Sequence, residues 1–169
     1  KLRLKKIAVL AEVDNNKKNE LKAIFNEIDD YYKSLSDFKD KPKYISNYEL
    51  YQLKELHKSL FEKFNVLEYE LLPDFDKEIT TINQFKSNFN SLENDIQKRN
   101  AEYVTKELEN SDAILSNIEG KSLDIQQRKA VVIDEDNNLI IAGAGSGKTT
   151  TIAGKVKYLT EKLGVDKSK

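Results

Sequence analysis

The chain has 169 residues, and its 28 basic and 29 acidic side chains leave a formal charge of −1, so no strong global field draws it to a nucleic-acid backbone. It contains no cysteine, which excludes a disulfide framework and a cysteine-ligated zinc site and suits a reducing cytoplasm. No apolar run approaches the roughly 20 residues of a membrane span, and the basic start is not followed by a signal-peptide core, so a soluble cytoplasmic protein is expected. The sequence also lacks methionine, and we therefore expect an excerpt of a longer protein rather than a chain beginning at its start codon.

Residues 1–118 hold two prolines, Pro42 and Pro73, and no glycine, and their apolar positions recur at helical spacing. A helical module is expected there. Residues 2–13 fit either a helix or a strand, and helix is preferred because no partner strand with turn chemistry follows. Leu21, Ile24, Phe25, Ile28, Tyr32 and Leu35 then make one helical face, with Pro42 in the turn after it. A second helix is expected from Ser46 or Asn47, turning Leu50, Leu53, Leu56, Leu60, Phe64 and Leu67 inward and ending before Pro73. From about Asp74 to Leu108 neither glycine nor proline interrupts the chain, and Ile82, Phe85, Phe89, Leu92, Ile96 and Tyr103 approach a heptad seam. The two segments predict an antiparallel, coiled-coil-like hairpin or arm, with a kink near Asn100.

Ser111 is a candidate N-cap for a short helix through Ile114, Leu115 and Ile118, closed by a left-handed Gly120. Beyond it the pattern changes to a helix over 125–132, an apolar strand, a glycine-rich loop and a helix ending near Gly164. The expected fold is therefore mainly α: a helical accessory module over 1–118, then the first strand-loop-helix of a truncated P-loop α/β domain over 119–169. The strand at 138–142 should find few or no strand partners in the chain, because the neighbouring strands of such a sheet come from later sequence.

Residues 139–150 read LIIAGAGSGKTT, an apolar strand entering a glycine-rich loop and then a helix that opens with lysine and threonine. That is the context of a Walker A loop, with alanine in place of the first glycine. Gly143, Gly145 and Gly147 let the backbone curl its amides around a phosphate, and the following helix adds partial positive charge to the same concavity. The phosphate-binding set is Ala142, Gly143, Ala144, Gly145, Ser146, Gly147, Lys148, Thr149 and Thr150. Within it Lys148 is the catalytic cation on the β and γ phosphates, and the Thr149 hydroxyl is a ligand for magnesium. ATP and Mg2+ are the expected cofactors.

Upstream, SLDIQQRKAVV places Gln127 and Ala130 on a helix ahead of AGAGSGKT. With the loop, this resembles the Q motif of UvrD/Rep-type superfamily 1 DNA helicases, and the similarity runs through residues 103–162, where it is closest to the helicase IV-like branch. Asp124 and Ile125 stand where relatives favour asparagine and proline, and Thr150 where arginine is frequent. The resemblance implies that Gln127 hydrogen-bonds the adenine edge, a task that suits a carboxamide with both donor and acceptor. Asp124 and Gln127 also have capping-box spacing, which stabilises a helix with no ligand at all. Both roles stand open.

The lone imidazole, His57, is read as exposed or half-packed on the polar side of the second helix and is given no role. Asp134, Glu135 and Asp136 read as a solvated turn rather than a metal site, and Lys1, Arg3, Lys5 and Lys6 as a solvated helix end. By resemblance the parent is an ATP-driven translocase that separates DNA strands, moving 3′ to 5′ on single-stranded or partly duplex DNA. The fragment alone is expected to be inactive, since the carboxylate strand and arginine fingers of such motors are not in it. A different P-loop machine, or a helical arm for a protein partner such as RNA polymerase, are the competing classes.

Overall fold

The computed structural model describes residues 2–66 and 76–166. Six α-helices run through them: α1 (Leu2–Lys39), α2 (Asn47–Val66), α3 (Asp76–Asn110), α4 (Asp112–Leu115), α5 (Ile125–Val132) and α6 (Lys148–Lys157), the last continued by a π-helical turn over Tyr158–Lys162. The mainly α expectation holds, and residues 2–13 are helix. Lys1, Leu67 and Pro73, with the side chains of Arg3, Lys5, Lys6 and Leu21, lie outside the described residues. By contact the chain forms two compact units, residues 1–40 with 51–93 and residues 41–50 with 94–169.

The first unit is built on heptad-like stripes. Ile24, Ile28, Tyr31, Leu35 and Phe38 are buried on α1, and Ile82, Phe85, Phe89 and Leu92 on α3. Their centre is aromatic: Tyr31 meets Phe85 edge-on at 4.9 Å between ring centroids, and Phe61 stacks on Phe89 at 4.7 Å. Tyr31 rather than Tyr32 carries the α1 seam. On α2 the buried row is Leu53, His57, Leu60 and Phe64, while Leu56 is 69 % exposed. This corrects the expected positions of Leu56 and His57. At about 100° per residue His57 lies within roughly 30° of that row's mean direction and Leu56 about 70° off it, so geometry outranks hydropathy here.

His57 is therefore a buried imidazole, set edge-on to Tyr31 at 5.2 Å, and its Nε2 has no hydrogen-bond partner among the described residues. Burial depresses its pKa below the ordinary value, partly opposed by the negative Asp30.

In the second unit, Asn100 acts as a partner for the segment before α2. Its Nδ2 donates to the Ile45 carbonyl at 2.7 Å and its Oδ1 accepts the Ile45 amide at 3.1 Å, so one carboxamide satisfies both backbone groups of a buried residue. Arg99 donates to the carbonyls of Lys41 and Lys43 beside it. α3 runs unbroken through Asn100, without separating into two helices. Ser111 makes no side-chain cap; its hydroxyl donates instead to Glu107 at 2.8 Å, both residues being buried. The turn after α4 also differs from expectation. Ile118 and Lys121 exchange backbone hydrogen bonds at 2.7 and 2.9 Å around Glu119 (φ 52°) and Gly120 (φ 81°). Gly120 thus serves a tight two-residue turn with both central φ positive, not a helix C-cap.

Leu115, Ile118, Leu123, Val131, Val132 and Tyr158 form the core of this unit, with α5 packed on α6. Burial first, and then the neighbouring Tyr103 hydroxyl, push the Tyr158 phenol well above its ordinary pKa. Apart from the Ile118–Lys121 bridge no strand pairing occurs among the described residues. Leu139 and Ile141 are 85 % and 88 % exposed, the state of an apolar strand segment without neighbours.

A folded-state pKa below the unfolded value makes His57 favour folding above the ordinary histidine range and oppose it as pH falls through that range. Thermal unfolding of His57→Leu should consequently lose less stability than the parent between pH 8 and pH 5. Equal pH dependence in the two proteins would refute this role.

Candidate functional site

The site starts from the cap of α5. Asp124 Oδ1 accepts the amides of Gln126 and Gln127, each at 2.9 Å, while Gln127 Oε1 accepts the Asp124 amide at 2.9 Å. This reciprocal capping box satisfies orphan donors at the helix start and fixes Gln127 in one rotamer. The other end of the same carboxamide points out of the helix. Gln127 Nε2 donates to the Ser146 carbonyl at 3.0 Å, so α5 and the glycine-rich loop share one side chain.

Within the loop, Ser146 Oγ donates to the Gly143 carbonyl at 2.8 Å and closes the turn. Gly145 and Gly147 are left-handed, with φ of 77° and 83°. At Gly147 the requirement is double, since a Cβ there would lie 2.6 Å from Gln127 Nε2. Lys148, the first residue of α6, folds back so that Nζ donates to the carbonyls of Ala142 at 2.7 Å and Gly143 at 2.5 Å. The ammonium is thus held over the loop at the positive end of a ten-residue helix. A cleft of about 350 Å³ lies alongside, lined by Gln127, Ile141, Ala142, Ser146 and Lys148 among others. Thr149 is exposed and Thr150 half-buried. Thr151 is buried, and its hydroxyl returns to the Gly147 carbonyl at 3.0 Å, which gives it a structural task.

Two residues absent from the expected site hold it in place. Gly154, buried in the middle of α6, permits close packing: a Cβ there would meet Leu123 Cδ1 at 2.8 Å and Val131 Cγ2 at 3.4 Å. Next to it, Lys155 Nζ donates to the carbonyls of Val131 at 2.9 Å and Ile133 at 3.0 Å and pairs with Asp134 at 2.9 Å. It caps the C-terminal end of α5 with a positive charge. A glycine inside a helical pattern was the one sequence signal for such contact.

Residues 123–169 match the family model described as the UvrD/REP helicase N-terminal domain. No curated protein and no solved structure matches the chain. The matched stretch takes in the Asp124 cap, Gln127, the loop and α6, the elements whose contacts have just been given. It does not separate branches of that family, so the helicase IV-like resemblance rests on residues 103–162 of the sequence alone.

Of the residues singled out from sequence, Gln127 and Ala142 to Lys148 converge on one place. His57 is in the other compact unit. The acidic cluster departs in part from the solvated turn expected of it: Asp136 is exposed, while Asp134 and Glu135 are half-buried and engaged. Asp134 is paired with Lys155, and Glu135 accepts from the Tyr44 hydroxyl and the Asn47 amide, each at 2.8 Å. Burial together with that Glu135 contact pushes the Tyr44 phenol up to about 12. Among the described residues no group of three His, Asp or Glu is placed to hold a metal ion. No helix among them is long and apolar enough to cross a membrane.

Lys155→Met keeps the packing of the side-chain stem but leaves the Val131 and Ile133 carbonyls and the Asp134 carboxylate without their cation. We expect a loss of about 1–3 kcal/mol in denaturant unfolding, the range for charged hydrogen bonds in a partly buried setting. An unchanged midpoint would show that water replaces the ammonium at no cost.

Proposed function

We propose that the chain carries the nucleotide-binding opening of an ATP-dependent DNA helicase of the UvrD/Rep superfamily 1 type. Residues 1–118 are its helical accessory module and residues 119–169 the start of the motor. The observation that carries the reading is the loop from Ala142 to Lys148. Its left-handed Gly145 and Gly147 end at the head of α6, with the Lys148 ammonium folded over its carbonyls, inside the stretch similar to a helicase N-terminal domain. Such a loop offers amides and one mobile cation to a polyphosphate.

The residues present suit a magnesium nucleotide. Lys148 is exposed and bound only to backbone carbonyls, so its charge is available to β and γ phosphates once it turns from them. Ala142, Gly143, Ala144, Gly145, Ser146 and Gly147 line the phosphates with backbone, and Thr150 follows on the first turn of α6. The exposed Thr149 hydroxyl would hold magnesium, which supplies charge neutralisation between phosphates when bound. Gln127 spends one lone pair on the Asp124 amide and one N–H on Ser146, which leaves one acceptor and one donor for the adenine edge. Hydrolysis drives movement along single-stranded DNA and opening of a partly duplex substrate, in the 3′ to 5′ direction.

Titration with MgATP tests the core of this reading. Lys148→Ala should weaken binding at least about tenfold while far-UV circular dichroism stays unchanged, because the side chain leaves a solvated loop and no core contact. Parent-like affinity in that variant would overturn the reading. Gln127→Ala should weaken ATP more than GTP, and equal losses would remove the adenine role.

A further inference from the structure

The contact between Gln127 and the loop has a meaning apart from base recognition. A trans peptide directs its C=O and N–H to opposite sides. With the Ser146 carbonyl held on Gln127 Nε2 at 3.0 Å, the Gly147 N–H of the same peptide must point away from α5. Glycine at 147 permits this approach: it has φ 83°, and a Cβ there would lie 2.6 Å from Gln127 Nε2. At the other end Gln127 Oε1 is fixed by the Asp124 amide, and Asp124 is fixed by two α5 amides, so the donor to Ser146 is braced rather than free to swing. The Thr151 amide and hydroxyl hold the Gly147 carbonyl, at the end of the loop, to α6. Ahead of that point the other side-chain bonds of the loop among the described residues are those of Ser146 and Lys148 to the Ala142 and Gly143 carbonyls, which lie within the loop and move with it.

We infer that Gln127 is a positioning residue for the phosphate loop: through Ser146 it sets the peptide that presents the Gly147 amide, and it does so for any triphosphate, whatever its base. The inference rests on the reading that this loop binds phosphate. Preorganised amides bind an anion without first being ordered, so the latch should contribute to phosphate affinity even when no base is present.

Two variants separate the latch from the cap. Gln127→Glu keeps the acceptor at N3, where Glu is a standard capping-box residue, but sets a carboxylate oxygen against the Ser146 carbonyl. Backbone 15N relaxation on the ligand-free chain should then show lower order parameters at residues 143–147, with those of α5 unchanged. An unaltered loop would overturn the inference whatever the ligand results. Gln127→Met removes the cap acceptor along with the latch, so it is read beside the Glu variant, which keeps the cap; it is neutral, of similar length, and avoids placing a new negative charge near phosphate. Titrated with magnesium tripolyphosphate, MgGTP and MgATP, it should lose about fivefold or more for all three, the scale of one lost hydrogen bond. A loss confined to ATP would also overturn the inference and leave Gln127 a base reader only. If the parent chain binds none of the three, the phosphate reading falls, and the relaxation measurement still decides whether the latch exists.

Discussion

The packing of α6 on α5 organises this part of the second unit, and Gly154 lies at its centre: a Cβ there would come within 2.8 Å of Leu123 Cδ1, a side-chain tip that would have to move, and into contact with Val131 Cγ2 at 3.4 Å. With the backbone this near, residues at both ends of the pair come within reach. Gln127 near the start of α5 meets Ser146 just before α6, and Lys155 near the end of α6 meets the last carbonyls of α5. The two helices therefore run in the same direction, fixed at both ends and in the middle. Parallel neighbours need a connection that travels back along their length, and the apolar run at 138–142 makes that return. Its sequence is that of a buried strand, whereas Leu139 and Ile141 are almost fully exposed. The helix pair is thus complete while the apolar return beside it has no strand partner among the described residues.

How much of this was legible beforehand follows the range of the interactions. The α5 limits, the capping box and the loop are set by contacts within a few residues, and Asp124 and Gln127 at the right spacing announce them directly. Helical stripes were legible in direction and blurred in detail. Steps of three and four are both allowed along a helix, so Leu56 and His57 competed for one place, and hydropathy chose the wrong side chain. Tyr31 and Tyr32 posed the same ambiguity, and the ring one position earlier than expected is the one that joins the aromatic centre. Gly120 and Ser111 were assigned to caps because those residue types favour caps. Both are taken by other local demands instead, a two-residue turn and a buried carboxylate four residues back on α3. Nothing in sequence order could disclose that Glu135 would meet Tyr44 and Asn47, since that contact spans about half the chain.

Electrostatics explains why a chain so rich in charge has little net field. The ion pairs among the described residues are local to a unit, and some are exposed at both partners, such as Lys63 with Glu27 and Lys58 with Glu55 in the first. Pairs of this kind contribute little each and are screened by salt. The charges with structural consequence are those that meet backbone: Asp124 on α5 amides, Lys155 on α5 carbonyls, Arg99 on the carbonyls of Lys41 and Lys43. In each case a side chain satisfies backbone groups that helix ends or turns leave open, and the charge strengthens the hydrogen bond it makes.

Lys148 belongs to that set by geometry and departs from it in consequence. Its ammonium also sits on backbone carbonyls, but those of the loop it belongs to, at an exposed helix start rather than between packed elements. Lys155 links α5 to α6, so its removal should be felt in folding; Lys148 links a loop to itself, so its bonds can be exchanged for an anion at small structural cost. Gln127 stands between these cases. Its carboxamide is committed to the cap at one end and to the loop at the other, with one lone pair and one N–H still unused. In the proposed reading a base that engages those two groups pulls on the same rigid amide that holds Ser146. Base recognition and the shape of the phosphate loop are then coupled through a single side chain, without any intervening element having to move.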